Sequence, residues 1–180
     1  MWRDLADLVL PADCAGCGAS RGTAGLCAEC HEALASAVPS RVRPWPEPAG
    51  LPRCLALAAY AGALRAAILA YKERGRHALG GPLGDRLAGV VRVGLPASGP
   101  VVLVPARVRR LRAAVRAGAR PVLVDDVITT GATLAAVAAR LRDAGVEVPL
   151  PVVLAATQRD RGGPHRARTG SAANLSPNEG

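Results

Sequence analysis

Three observations predict an α/β fold with a mainly parallel sheet, preceded by an N-terminal four-cysteine zinc knuckle. Short continuous apolar runs such as Val101–Val104 have the character of strands buried on both faces. They alternate with stretches whose apolar residues recur at helical spacing, a pattern that lays helices over a parallel sheet. Four of the five cysteines, Cys14, Cys17, Cys27 and Cys30, form two CxxC pairs nine residues apart.

Composition bounds these expectations. The chain has 180 residues, a length suited to one compact domain with a small appendage. Half of the residues are hydrophobic, yet there are only two Trp, two Tyr and no Phe, so the core must be built from Ala, Val and Leu. Disorder throughout is excluded. No apolar run approaches the roughly 18–20 residues that cross a bilayer. Arg3, Asp4 and Asp7 interrupt the stretch where a signal peptide would be apolar. The expected location is the cytoplasm, without membrane insertion. The 23 Lys and Arg against 14 Asp and Glu give a net charge of +9, which suits a polyanionic partner such as nucleic acid or a diphosphate. Because Lys72 is the single lysine in a chain dense in Ala, Gly, Pro and Arg, the surplus equally reads as a compositional bias.

The elements follow in chain order. A CxxC turn brings two thiolates to one ion, and two such turns complete the tetrahedron that Zn²⁺ prefers. Gly16 and Gly18 are expected to supply positive φ in the first turn, and CAECHEAL leads from the second pair into a helix. Two disulfides, which a cytosolic setting disfavours, or free thiols are the alternatives. A zinc ion here would be structural, tying down residues 1–37, a segment too small for its own core. Residues 38–52 hold five prolines and read as an extended linker. In residues 53–156, Cys54–Tyr60 is a strand, with Cys54 a buried thiol, and Gly62–Arg74 a helix stopped by Gly75. Pro82–Val93 is a second helix, Val101–Val104 a strand and Val108–Ala117 a crossover helix. Val122–Asp125 is a further strand, Gly131–Ala144 a helix ending at Gly145, and Leu150–Ala155 the last strand. Residues 157–180, rich in Arg, Gly, Ser and Asn, lack any apolar period and read as a disordered tail.

Chemistry concentrates in VLVDDVITTGATL, residues 122–134. A buried strand delivers Asp125 and Asp126 to its C-terminal edge, where open α/β sheets bind ligands. A turn of Thr129, Thr130 and Gly131 then enters a helix through Ala132 and Thr133. A helix N-terminus offers unpaired N–H groups and partial positive charge to a phosphate. The carboxylates suit sugar hydroxyls or an indirectly held divalent cation. Together they describe a cradle for a ribose 5-phosphate.

This stretch resembles the 5-phosphoribosyl diphosphate (PRPP) loop of type I phosphoribosyltransferases. With the CAGCG…CAEC knuckle and the intervening LRAAILAYKERGRHALGGPLGDRLA, it is similar to the ComF/GntX branch, associated with competence and DNA uptake. The resemblance implies that Asp125 and Asp126 meet the ribose hydroxyls and that Thr129, Thr130, Gly131, Ala132 and Thr133 hold the 5-phosphate. It places the pyrophosphate loop at Pro105, Ala106 and Arg107, sets Lys72 near the diphosphate, and implies Mg²⁺ with PRPP besides the structural Zn²⁺. A competence-type helicase and single-stranded DNA are the further partners it implies.

One departure bears on mechanism. Only residues 106–120 separate the two ligand loops, room for one crossover helix but not for the strand and flexible hood that the family places there. A hood keeps water from the carbocation-like centre during displacement of pyrophosphate. Whether the chain is an enzyme is therefore open: no catalytic base or acceptor can be named. Transfer of the phosphoribosyl group stands beside a non-catalytic PRPP or nucleotide sensor and a zinc-stabilised nucleic-acid-uptake adaptor.

Overall fold

The computed structural model describes residues 13–20, 25–95, 101–105, 120–146 and 150–157. Its strands are β1 (Ser40–Val42), β2 (Cys54–Ala59), β3 (Val101–Pro105), β4 (Arg120–Ile128) and β5 (Val152–Ala156). They form one sheet in the order β1-β2-β5-β4-β3. Only β1 runs antiparallel to its neighbour; the other three pairings are parallel. The helices are α1 (Ala28–Ala35), α2 (Gly62–Glu73), α3 (Gly80–Gly94) and α4 (Ala132–Asp143), with a 3₁₀ turn at His77–Leu79. The α/β architecture with a mainly parallel sheet is thus present.

The central strands are apolar on both sides because both sides are covered. Along β4, Val122 and Val124 join a core with Leu64 and Ile68 of α2, Leu83 and Val90 of α3, and the knuckle residues Cys14, Leu26, Cys27, Cys30 and Leu34. Leu123, one residue out of phase, packs in a second core with Leu134, Ala138 and Leu141 of α4 and Val153 of β5. Continuing the alternation sends Asp126 toward α2 and Asp125 toward the α4 side.

Two expectations change. The strand anticipated over Val122–Asp125 runs on to Ile128, because β5 continues to pair with it through Val127 opposite Ala155 and Ile128 opposite Ala156. The acidic pair therefore sits within the paired part of β4 and is held by its ladder. The Pro-rich segment 38–52 holds β1, whose Ser40, Arg41 and Val42 pair with Ala56, Leu55 and Cys54. Its later part docks on the α4 side, where the Arg142 guanidinium donates to the Gly50 carbonyl at 3.0 Å and Leu51 packs against the second core. A row of prolines removes donors, yet a short edge strand needs few of them. The crossover helix expected at Val108–Ala117 and the tail beyond Thr157 lie outside the described residues. Among the described residues, no helix is long and apolar enough to cross a membrane.

Candidate functional site

Both CxxC turns converge on one point. The four Sγ atoms of Cys14, Cys17, Cys27 and Cys30 lie within 4.8 Å of one another, and those of Cys17 and Cys27 are 3.6 Å apart. Four sulfurs about 2.3 Å from a central Zn²⁺ would be about 3.8 Å apart, so the cluster fits the ion without rearrangement of its backbone. All four are free thiols. Backbone N–H groups already point at the sulfurs: Gly16 and Cys27 donate to Cys14 Sγ at 3.3 and 3.2 Å, and Cys30 donates to Cys27 Sγ at 3.4 Å. Burial pushes the Cys14 thiol up, but the N–H groups of Cys27, Cys17 and Gly16 outweigh it and bring the thiol down to about 6. Burial, reinforced by the neighbouring sulfurs, drives Cys30 the other way. The cluster could hold a metal ion, with His31 exposed beside it and outside the ligand set.

The first turn works differently from the expectation for its glycines. Gly18 has φ +78°, but Gly16 is needed for space: a Cβ there would stand 2.8 Å from Cys30 Sγ and 3.0 Å from the Ala63 Cβ. The knuckle is thereby pressed onto the start of α2. It also reaches the turn after α2, where Arg76 donates to both the carboxylate and the carbonyl of Asp13. Cys54, the fifth cysteine, is a buried thiol that donates to the Pro52 carbonyl at 3.2 Å and is pushed up to about 12 by burial and then by Glu47.

The second constellation lies at the C-terminal end of β4. Gly131 caps α4 with φ +74°, a left-handed conformation that a side chain would strain. It is also crowded, since a Cβ would meet Leu51 Cδ2 at 2.9 Å and Pro44 Cγ at 3.1 Å. As a cap without a side chain, Gly131 cannot fold back onto the N–H groups of the first turn. Thr130 Oγ1 accepts only a long bond from the Ala132 N–H, 3.3 Å. Thr129, Thr130, Ala132 and Thr133 are exposed around the buried glycine. The turn is braced from β5, where Thr157 donates to the Ile128 carbonyl through its N–H at 3.0 Å and its hydroxyl at 3.3 Å.

The two carboxylates differ. Asp125 Oδ1 accepts the Asp126 N–H at 2.9 Å. Desolvation raises the Asp125 carboxyl above the ordinary value; the Asp126 N–H opposes this and the Asp126 charge adds to it. Asp126 Oδ2 is held by Lys72 Nζ at 2.5 Å, and both side chains are partly exposed. Lys72, expected near the diphosphate, thus lies against the acidic pair. Beside this ion pair a cavity of about 200 Å³ opens between α2 and α3, with Tyr71, Leu83 and Leu154 among its walls.

Of the other residues singled out in the sequence, Pro105 ends β3 beside Val124 of β4. Ala106 and Arg107 lie outside the described residues. The partners of the loop that sequence reasoning missed are Pro44, Leu51 and Thr157. All three come from distant or weakly patterned segments, and Thr157 falls in the stretch whose sequence reads as tail.

The mostly parallel sheet, with an acidic pair and a helix N-terminus at the end of one strand, belongs to the open α/β class of folds. Within that class, residues 86–170 match the model of the phosphoribosyl transferase domain, which supports the phosphoribosyltransferase superfamily. The match covers β3, β4, α4 and β5 but neither the knuckle nor Lys72. No curated protein matches the chain.

Proposed function

We propose that this protein binds Mg²⁺·PRPP at the end of β4, with the 5-phosphate on the N–H groups of the α4 N-terminus and the ribose hydroxyls on Asp125 and Asp126. The observation that carries this reading is the pairing, over nine residues, of a half-buried acidic pair with a helix start whose cap has no side chain. The family match over residues 86–170 supports the same ligand class. The exposed hydroxyls of Thr129, Thr130 and Thr133 add donors around the phosphate. Lys72 neutralises one of two adjacent carboxylates in the free protein; when a diphosphate arrives, the same ammonium is within reach of a stronger anion.

Mg²⁺ retains water and binds chiefly through ligand phosphates with one or two carboxylates, so it would travel with the diphosphate and meet Asp125 at most indirectly. Pro105, Ala106 and Arg107 complete the reading as the pyrophosphate loop, and Zn²⁺ is the ion for the four thiolates. The finer relationship to the ComF/GntX branch rests on the knuckle and the phosphate loop flanking one shared sheet. The organisation that goes with it is a knuckle at 1–37, a Pro-rich connection at 38–52 that docks on the α4 side, and a phosphoribosyltransferase-like body at 53–156.

Calorimetric titration of Mg²⁺·PRPP tests the reading: the wild type gives saturable heat, and Asp125→Asn with Asp126→Asn abolishes it. Undiminished binding by the double variant, or no heat from the wild type, sinks it. Release of pyrophosphate that depends on an added acceptor separates transfer from sensing.

A further inference from the structure

A second cavity opens at the other end of the sheet. Its volume of about 480 Å³ falls within the roughly 300–1,000 Å³ that takes a whole small ligand. Leu55 of β2, Leu95 just after α3 and Leu150 just before β5 give it an apolar floor, and Val93 of α3 stands 62% exposed on its rim. Leu55 is opposite Val152, the first residue of β5, whereas the phosphate turn follows Ile128, which is opposite Ala156, the last. Four strand rises therefore separate the two places by about 13 Å. Neither the acidic pair nor the α4 turn contributes to the cavity wall.

The polar wall consists of two arginines. Arg41 of β1 is the cross-strand partner of Leu55, and Arg53 precedes Leu55 by two residues, so both stand on the sheet face that α3 covers. They are diagonal neighbours across the strand pair, within reach of one another for side chains this long. Like charges so placed destabilise the pair unless an anion answers them. Among the described residues neither guanidinium has a carboxylate partner, and no acidic residue lines the cavity. Arg43, which does not line it, is paired with Glu47 at 3.8 Å. The last carbonyls of α3 reach the same place, but a helix C-terminus supplies only about half a negative charge against two full positive ones. The wall keeps a net positive charge over an apolar floor.

We infer that this cavity binds a phosphomonoester with an apolar body, at a site separate from the phosphoribosyl ligand. A phosphomonoester carries about −1.5 to −2 charges at pH 7, which matches two guanidiniums, and its three oxygens accept their paired N–H donors. A carboxylate would answer only one of the two. Inorganic phosphate would leave the leucine floor wet, and a neutral apolar molecule would cover the floor while leaving the arginines unanswered. This inference goes beyond the phosphoribosyl reading and does not rest on it.

The test titrates 1-naphthyl phosphate, 1-naphthoate, 1-naphthol and inorganic phosphate into the full chain by calorimetry. The naphthyl phosphate is expected to bind at least about tenfold more tightly than each of the others, because each lacks either a charge-assisted contact or the apolar burial. Arg41→Met with Arg53→Met removes both charges at exposed positions, so the fold is retained and affinity for the probe falls at least about tenfold. Val93→Glu, the second variant, sets a carboxylate on the exposed rim and is expected to weaken the probe similarly. Gly131→Ala and added equimolar Mg²⁺·PRPP should leave probe binding unchanged. No binding of 1-naphthyl phosphate at a few millimolar, equal affinity for any of the other three probes, or undiminished binding in either cavity variant overturns the inference. Loss of binding in Gly131→Ala or displacement by Mg²⁺·PRPP also overturns it, by assigning the probe to the α4 turn.

Discussion

The cysteine knuckle and the turn after β4 use one device for opposite ends. In each, a glycine allows a tight backbone path and N–H groups are gathered at one point. At the knuckle the chain supplies the anion, since the Gly16 and Cys27 N–H groups point at Cys14 Sγ. At the β4–α4 turn Gly131 caps the helix without a side chain, and in the proposed reading the anion comes from the ligand. The knuckle shares a core with α2 and α3, whereas the turn leaves its threonines exposed. A self-satisfied anion site stabilises a fold; one left open is the place proposed for a ligand.

The largest expected effect breaks the knuckle side of this contrast. Cys14→Ser with Cys17→Ser should abolish the bound metal equivalent and lower Tm by more than about 10 °C, since structural zinc contributes folding energy outright. Metal analysis with a thermal melt checks it, and a variant that keeps a full equivalent contradicts the four-thiolate site. Gly131→Ala attacks the other side. The left-handed φ and the crowding by Leu51 should cost about 1–3 kcal/mol, with at least tenfold weaker Mg²⁺·PRPP binding in calorimetry.

Smaller effects sharpen the contrast. Lys72→Met should leave stability within about 0.5 kcal/mol, because the ion pair with Asp126 is partly exposed, and should weaken Mg²⁺·PRPP binding roughly tenfold. Chemical denaturation and titration of the same preparation read both numbers. Asp125→Asn gives the smallest change. Folding raises this carboxyl above its ordinary value, so the native state favours the protonated form, and stability is lost as pH rises through the folded pKa. The amide should therefore raise Tm by a few degrees at pH 7, and the gain should vanish below about pH 3.5. Melts of both proteins across that range decide it; a lower Tm for the variant at pH 7 would contradict the desolvated carboxylate.

Local chemistry was legible in the sequence, and long-range contacts were not. The CxxC spacing brings the four thiols together because each pair is a single turn, and the apolar run at 122–124 marks a strand covered on both faces. The run at 101–104 is a strand as expected but not one buried on both faces: it lies at the sheet edge, where Val101 and Leu103 are exposed. Gly75 and Gly145 fall just past the ends of α2 and α4, as their punctuation implies. By contrast, β1 was hidden by the prolines around it, because composition does not register pairing with a distant Leu55. The packing of Pro44 and Leu51 against Gly131, and the Thr157 brace on Ile128, depend on chain segments that meet only in three dimensions. Lys72 was visible as the single lysine, but only the descent of α2 onto β4 puts its ammonium on Asp126.

The central claim, that the open N-terminus of α4 receives the 5-phosphate, is tested most directly by ³¹P NMR of PRPP titrated with Mg²⁺ and protein. The 5-phosphate resonance should shift with the wild type and stay at its free position with Gly131→Ala. Equal shifts with both proteins, or a wild-type effect confined to the diphosphate resonances, would contradict it.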